Sequence, residues 1–157
     1  MPNWCNNRVT ISAGTVEEEE QLAEIVEIFK KDNPFQVLYP MPDFDKIPHP
    51  ETGELPKTEE IKNPAGEVVH VSTRWADGTQ DTRWYDWRLE NWDTKWDVHD
   101  AEIEEDIFGG EMESFTATFD TAWSPPEAIC RRLRDMFPKV SISWFYDEPG
   151  MQYAGYL

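Results

Sequence analysis

Apolar and polar positions alternate with period two from Arg8 to Ser12, which predicts a strand with Val9 and Ile11 on one face. Gly14 and Thr15 stop it. From Val16 the period lengthens to that of a helix, with Val16, Leu22, Ile25, Val26 and Phe29 on one stripe. Thr15 is placed to cap this helix and Glu18 to complete a capping box. Glu17 to Glu20 sit at its positive end and Lys30 and Lys31 at its negative end. Helical period returns between Asp81 and Trp92, where Trp84, Trp87 and Leu89 to Trp92 supply an apolar side and Asp81 or Thr82 a cap. Thr94 to Val98 alternates again and reads as a second strand, and Gly109-Gly110 breaks the chain. Met112 to Trp123 is the most regular strand: Phe115, Ala117, Phe119 and Thr121 face one way, Ser114, Thr116, Thr118 and Asp120 the other. Ser124-Pro-Pro-Glu127 reads as a helix start, with Ser124 as cap, Pro125 at the first helical position and Glu127 closing a capping box. Its buried stripe is Ile129, Leu133, Met136 and Phe137, with Arg131, Arg132 and Arg134 outward. Val140 to Tyr146 is the last long strand, with Val140, Ile142, Trp144 and Tyr146 on one face. Glu148-Pro-Gly150 turns the chain, and Met151 to Leu157 adds an edge strand.

The stretch between the first helix and the second helical segment differs. Six prolines fall between Tyr39 and Ala65, which excludes long regular elements. Glu67 to Val71 is a short strand candidate in a hairpin, with turns at Thr52-Gly53 and Ala65-Gly66. A structureless loop of this length is uncommon in a compact domain. Residues 32–80 therefore read as a Pro-rich, partly irregular insertion in a single domain spanning 1–157. Without it the order is βαββαβ. The fold class is α+β, a ferredoxin-like antiparallel sheet with helices on one face. The other face is left to the insertion, a ligand or a partner.

The 157 residues hold 32 Asp and Glu against 14 Lys and Arg, a net charge of -18. That sign opposes direct nucleic-acid binding, which needs Lys and Arg to displace counterions, and favours encounter with basic surfaces. It also keeps a chain with eight Trp soluble. Mean hydropathy is -0.70, no apolar run has membrane-spanning length, and the start of the chain carries no secretory signal pattern. The expectation is a cytoplasmic protein whose Cys5 and Cys130 are reduced thiols.

Four motifs carry a family resemblance: Met1-Pro-Asn-Trp-Cys-Asn-Asn7, Asn91-Trp-Asp-Thr-Lys-Trp-Asp97, Thr121-Ala-Trp-Ser-Pro-Pro126, and Tyr146-Asp-Glu-Pro-Gly150 followed by Tyr153-Ala-Gly155. They resemble the YubB-like family of phage and plasmid proteins, whose ferredoxin-like domain is shared with phage Api-type proteins. The resemblance covers the first strand and everything from about Trp84, and covers the Pro-rich segment poorly. It implies the fold and a mobile-element origin, and no activity. One position departs: the family usually carries Gly where this chain has Asp93, at a turn that favours positive φ.

No P-loop, zincin helix, nucleophile elbow or GxGxxG is present. The strongest constellation is polar and aromatic. Asn3, Trp4 and Cys5 lie at the mouth of the first strand, Asn91, Trp92, Lys95, Trp96 and Asp97 before the second, and Trp123 at the exit of the third. Converging at one end of the sheet, they would form a binding site of flat apolar area and a few directed hydrogen bonds. The same indoles could equally fill a core, with Lys95 and Asp97 as a local ion pair. Asp97, His99, Asp100, Glu102, Glu104, Glu105 and Asp106 form an acidic run that reads as a solvated sheet edge. The run has no ligand spacing, and no metal or cofactor is expected. The function expected is non-catalytic binding by an accessory protein, in its sharper form inhibition of a basic host nucleic-acid-binding or defence protein. Two alternatives are a small-molecule or metal-dependent enzyme built on Asn3, Cys5, Lys95, Asp97 and His99, and a structural oligomerising module.

Overall fold

Strand β1 (Trp4–Ser12) alternates buried and outward positions along its whole length, beginning four residues before the regular apolar pattern. The computed structural model describes residues 2–157. Helix α1 (Val16–Phe29) follows, and α2 (Pro34–Leu38) leads away from it. After residues 41–87 the chain returns through β4 (His99–Phe108), β5 (Glu111–Ala122), α4 (Glu127–Met136), β6 (Ser141–Glu148) and β7 (Tyr153–Tyr156). The sheet order is β4-β5-β1-β6-β7, and every pairing is antiparallel. β1 and β4 therefore run the same way, as do β5 and β6. Each such pair needs a crossover, and α1 and α4 supply them. Without the short edge strand β7 this is the ferredoxin-like βαββαβ arrangement.

The helices cover one face of the sheet. Val9 and Ile11 on β1, Phe115, Ala117 and Phe119 on β5 and Trp144 on β6 are buried there with Leu22, Ile25, Val26 and Phe29 of α1 and Ile129 and Leu133 of α4. Phe119 is central, with its ring 6.0 Å from Phe29, 5.9 Å from Phe35 and 5.8 Å from Trp144. The polar members of this face are bonded. Asn7 donates to Cys5 O at 3.0 Å and to Thr121 Oγ1 at 2.9 Å, and accepts from Trp144 Nε1 at 3.0 Å. A buried amide so satisfied avoids the desolvation cost of an unmade bond.

Four sequence expectations change. Pro34 does end α1, but it also opens α2, whose Phe35 and Leu38 are buried. Proline suits the first helical position because its missing N–H is not needed there. Thr94 to Val98 is a bend and not a strand: Thr94 is fully buried and its hydroxyl donates to Ala122 O at 2.9 Å. Val16 and Met136 leave their stripes at 71% and 41% exposure, and Cys130 is buried in the second stripe. Finally, α4 begins at Glu127 with no cap from its own segment. Its cap comes from across the chain, where Asp93 Oδ2 accepts Ala128 N–H at 2.8 Å. The Ser124 hydroxyl donates instead to Asp93 O. Asp93 holds φ at 62°, so it meets the left-handed turn and supplies an oxygen that glycine lacks. At α1, by contrast, Thr15 Oγ1 accepts Glu18 N–H at 3.3 Å, and Glu18 Oε2 reaches Gly14 N at 2.6 Å.

Residues 41–87 form a second compact unit. It holds a 3-10 turn (Phe44–Lys46), the hairpin β2 (Lys57–Lys62) and β3 (Val68–Arg74), and the start of α3 (Arg83–Trp92). The Asn63 Oδ1 accepts Ala65 and Glu67 N–H at 3.0 Å each, and Gly66 takes φ 84° in the hairpin turn. Its interior is polar and aromatic. The Arg83 guanidinium pairs with buried Asp81 at 2.9 Å and lies 4.7 Å from the Trp75 ring and 5.1 Å from the Phe44 ring.

Candidate functional site: the open face of the sheet and its aromatic end

Period two that buries Val9 turns Trp4, Asn6, Arg8 and Thr10 to the opposite face. Register aligns their neighbours. Arg8 lies between Thr118 of β5 and Phe145 of β6, and Asn6 between Asp120 and Asp147. Glu102 of β4 pairs with Thr118, and Tyr156 of β7 with Phe145. Around Arg8 lies an open recess of about 360 Å³ lined by Asn6, Arg8, Asp100, Glu102, Asp120, Phe145 and Asp147 among others. Four carboxylates and one guanidinium thus line the recess, and among the described residues Arg8 makes no ion pair. Asn6 Nδ2 donates to Asp120 Oδ1 at 2.5 Å, fixing that carboxylate. The Phe145 and Tyr156 rings meet at 5.2 Å. The sheet sets the spacing of the strands that carry these carboxylates, and their negative potential favours a cation.

At one end of this face the indoles gather. Trp4 stacks on His99 at 4.7 Å with planes 8° apart, and its centroid is 6.0 Å from Trp96. The Lys95 ammonium lies 4.6 Å from the Trp96 ring and 5.4 Å from the Trp123 ring. Trp123 is 38% exposed with φ 69°. It is held by its backbone: Trp123 N–H donates to Asn3 O and Tyr153 Oη donates to Trp123 O, each at 2.9 Å. Gly150 closes the turn beside Asn3. A Cβ there would stand 2.8 Å from the Asn3 amide and from Glu148 Oε1, so the turn admits only glycine without a shift.

Of the residues selected from sequence, Asn3, Trp4, Lys95, Trp96 and Trp123 gather here. The others do not. Cys5 faces the helices, fully buried, and burial pushes its thiol from near 9 up to about 11. Trp92 is core, donating from Nε1 to Tyr39 O at 2.9 Å, while Asn91 Oδ1 accepts from Tyr39 Oη at 3.1 Å. Asp97 caps α2. Its oxygens accept Phe35 and Gln36 N–H at 3.0 Å and Val98 N–H at 2.9 Å, while desolvation holds its carboxyl above the usual range. Cys5 and His99 lie on opposite faces, so no thiol is positioned against an imidazole base. Among the described residues no three His, Cys, Asp or Glu side chains are grouped to hold a metal ion. Sequence reasoning missed Asn6, Arg8, Phe145 and Asp147. Extending the outward period of the third strand to the first and last would have found them.

The fold and this face together define a ferredoxin-like domain with an uncovered, acidic and aromatic sheet surface. Residues 91–157, under half of the chain, match the model of a family described as the ferredoxin-like domain in Api92-like protein. A crystal structure of protein api92 from Yersinia pseudotuberculosis is similar at TM-score 0.51 and 13% identity, over 99% of this chain and 93% of that one. At that identity the likeness concerns the fold. Both findings agree with the Api-type part of the resemblance read from the motifs. No curated protein matches the sequence.

Proposed function

We propose that this protein is a non-catalytic binding protein that takes a basic segment of a partner protein on the open face of its sheet. The observation that carries this reading is the recess lined by Glu102, Asp120, Asp147 and Asp100 together with Phe145 and a single arginine, Arg8, which makes no ion pair among the described residues. Carboxylates beside aromatic rings suit arginine and lysine, which pair with the first and stack on the second. The net charge of -18 steers such a partner inward. In its sharper form the partner is a basic nucleic-acid-binding or defence protein of a bacterial host, met in the cytoplasm by a YubB-like product of a phage or plasmid. No described helix is long and apolar enough to cross a membrane.

The test is fluorescence anisotropy with a labelled arginine–glycine peptide at physiological salt. Saturable binding is expected, weakened about five- to tenfold in the Asp120→Asn, Asp147→Asn double variant, as loss of two partly exposed charges implies. Equal binding by that variant would reduce the effect to net charge and overturn the reading. Competition with DNA for a basic bacterial protein tests the sharper form.

A further inference from the structure

We propose that the free edge of β4 takes the basic segment as a sixth strand of the sheet, with its cations over the open face and its uncharged side chains in a groove beside α1. This rests on the binding reading above and adds the way the segment is held. β4 stands at one end of the order β4-β5-β1-β6-β7, so one side of it pairs with β5 and the other is an edge. Among the described residues no backbone group of β4 is bonded to another backbone group outside that pairing. The register is irregular between His99 and Glu102 and between Asp106 and Ile107, and regular over residues 102–106. Along such a stretch, half of the N–H and C=O groups point away from the neighbouring strand and form a template for another.

The two sides of this edge differ. Glu102, Glu104 and Asp106 pair with Thr118, Thr116 and Ser114, and so share the open face. Ile103 and Glu105 pair with Ala117 and Phe115, and so share the helix-covered face. On that side Lys30, just after α1, meets Glu105 at 2.5 Å. A groove of about 440 Å³ is lined there by Phe29, Lys30, Lys31, Val98, Ala101 and Ile103 among others. An added strand sets alternate side chains on these two faces, and charge selects the alternation. Three carboxylates at period two suit arginine or lysine on the open side. Lys30 and Lys31 disfavour a cation in the groove, where Phe29 and Ile103 suit a small apolar side chain. Glu102 also lines the acidic recess, so edge and recess share a residue. A second copy of β4 would set its own Glu102, Glu104 and Asp106 against these carboxylates, so the edge selects a basic segment over another copy of the chain.

The test uses a short labelled peptide of alternating valine and arginine and two backbone-methylated versions of it. One version carries N-methyl groups on the arginine amides, the other on the valine amides. Charge is the same in both, but in a strand the two sets of amides point to opposite sides. One version should bind about tenfold or more weakly than the unmodified peptide and the other within about threefold of it, as loss of two or three backbone hydrogen bonds on one side implies. Which version is lost reports the direction of the added strand. Equal binding by both overturns the proposal. The second readout is amide hydrogen exchange in residues 102–106, where outward amides should slow about tenfold at saturation. Unchanged exchange there overturns the proposal, as does a wild-type dimer in which these amides are already protected, which would assign the edge to a second copy. When the unmodified peptide binds through Asp120 and Asp147 but both methylated versions bind alike, the edge is excluded and the binding reading stands. Absence of saturable binding by wild type overturns the binding reading itself.

Discussion

Val9 and Arg8 are neighbours on one strand, and the two faces they serve obey different physics. On the helix side, Cys5, Asn7, Val9 and Ile11 are enclosed, and the one amide among them has both ends bonded. On the open side, Asn6, Arg8 and their cross-strand partners leave charges unpaired and rings half-exposed. The first face is arranged so that nothing remains to be satisfied, which is what stability requires. The second retains unmet charge and apolar area, which is what a binding surface requires. Substitutions should accordingly separate: inner-face changes move folding, and outer-face changes move binding.

The largest expected effect is on the inner face. Trp144→Ala should cost about 3–5 kcal/mol in denaturant unfolding, through the cavity and the loss of the indole N–H that satisfies Asn7. The fraction that stays folded should bind the basic peptide as wild type does. Weakened binding by a folded Trp144→Ala variant would break the separation of faces.

Next is the titration of Cys5. Its folded thiol is raised from near 9 to about 11 by burial, so between these values the folded chain holds a proton that the unfolded chain has lost. Stability from this group is complete below pH 9 and declines as pH rises toward 11, by about 2–3 kcal/mol in full. Denaturation profiles over that window should flatten in Cys5→Ala. An unchanged slope would assign the loss to other groups.

Asp93 sharpens the comparison at the margin of the two faces. Asp93→Ala should cost about 1–3 kcal/mol, losing both the α4 cap and the tolerance of φ 62°. Asp93→Asn keeps both and should be near neutral, and Asp93→Gly should fall between. Equal melting temperatures for all three would show that the cap contributes nothing. The smallest stability effect belongs to the open face. Asp120→Asn should change unfolding by no more than about 0.5 kcal/mol, because the residue is partly exposed among like charges. Its effect should appear in peptide affinity.

Much of the fold was legible. Alternation identified the inner positions of β1, β5 and β6, and helical period those of α1 and α4, because burial on one face imposes these repeats locally. The turn at Asp93 was legible through its departure from glycine, though its role as a remote cap was not. Thr94 to Val98 misled because a five-residue alternation also arises when each side chain answers a separate tertiary demand. Thr94 bonds Ala122 O, Trp96 meets Trp4, and Asp97 caps α2.

The candidate site was half legible for the same reason. Residue type marked the indoles, Lys95 and Asp97 as notable, and composition marked the chain as acidic. Neither distinguishes Trp92 and Trp144, which are core, from Trp4, Trp96 and Trp123, which are not. Local pattern alone carries β1, β5, β6, α1 and α4 with most of their buried positions, and composition carries the sign of the charge, since each depends on residues near one another in the chain. Tertiary contacts alone make Asp97 a helix cap, bring Lys95 to the Trp123 ring, and gather Asp100, Glu102, Asp120 and Asp147 in one recess. Asp97 and Phe35 are 62 residues apart, and Lys95 and Trp123 come from either side of β4 and β5, so strand pairing and packing, not any local period, bring them together.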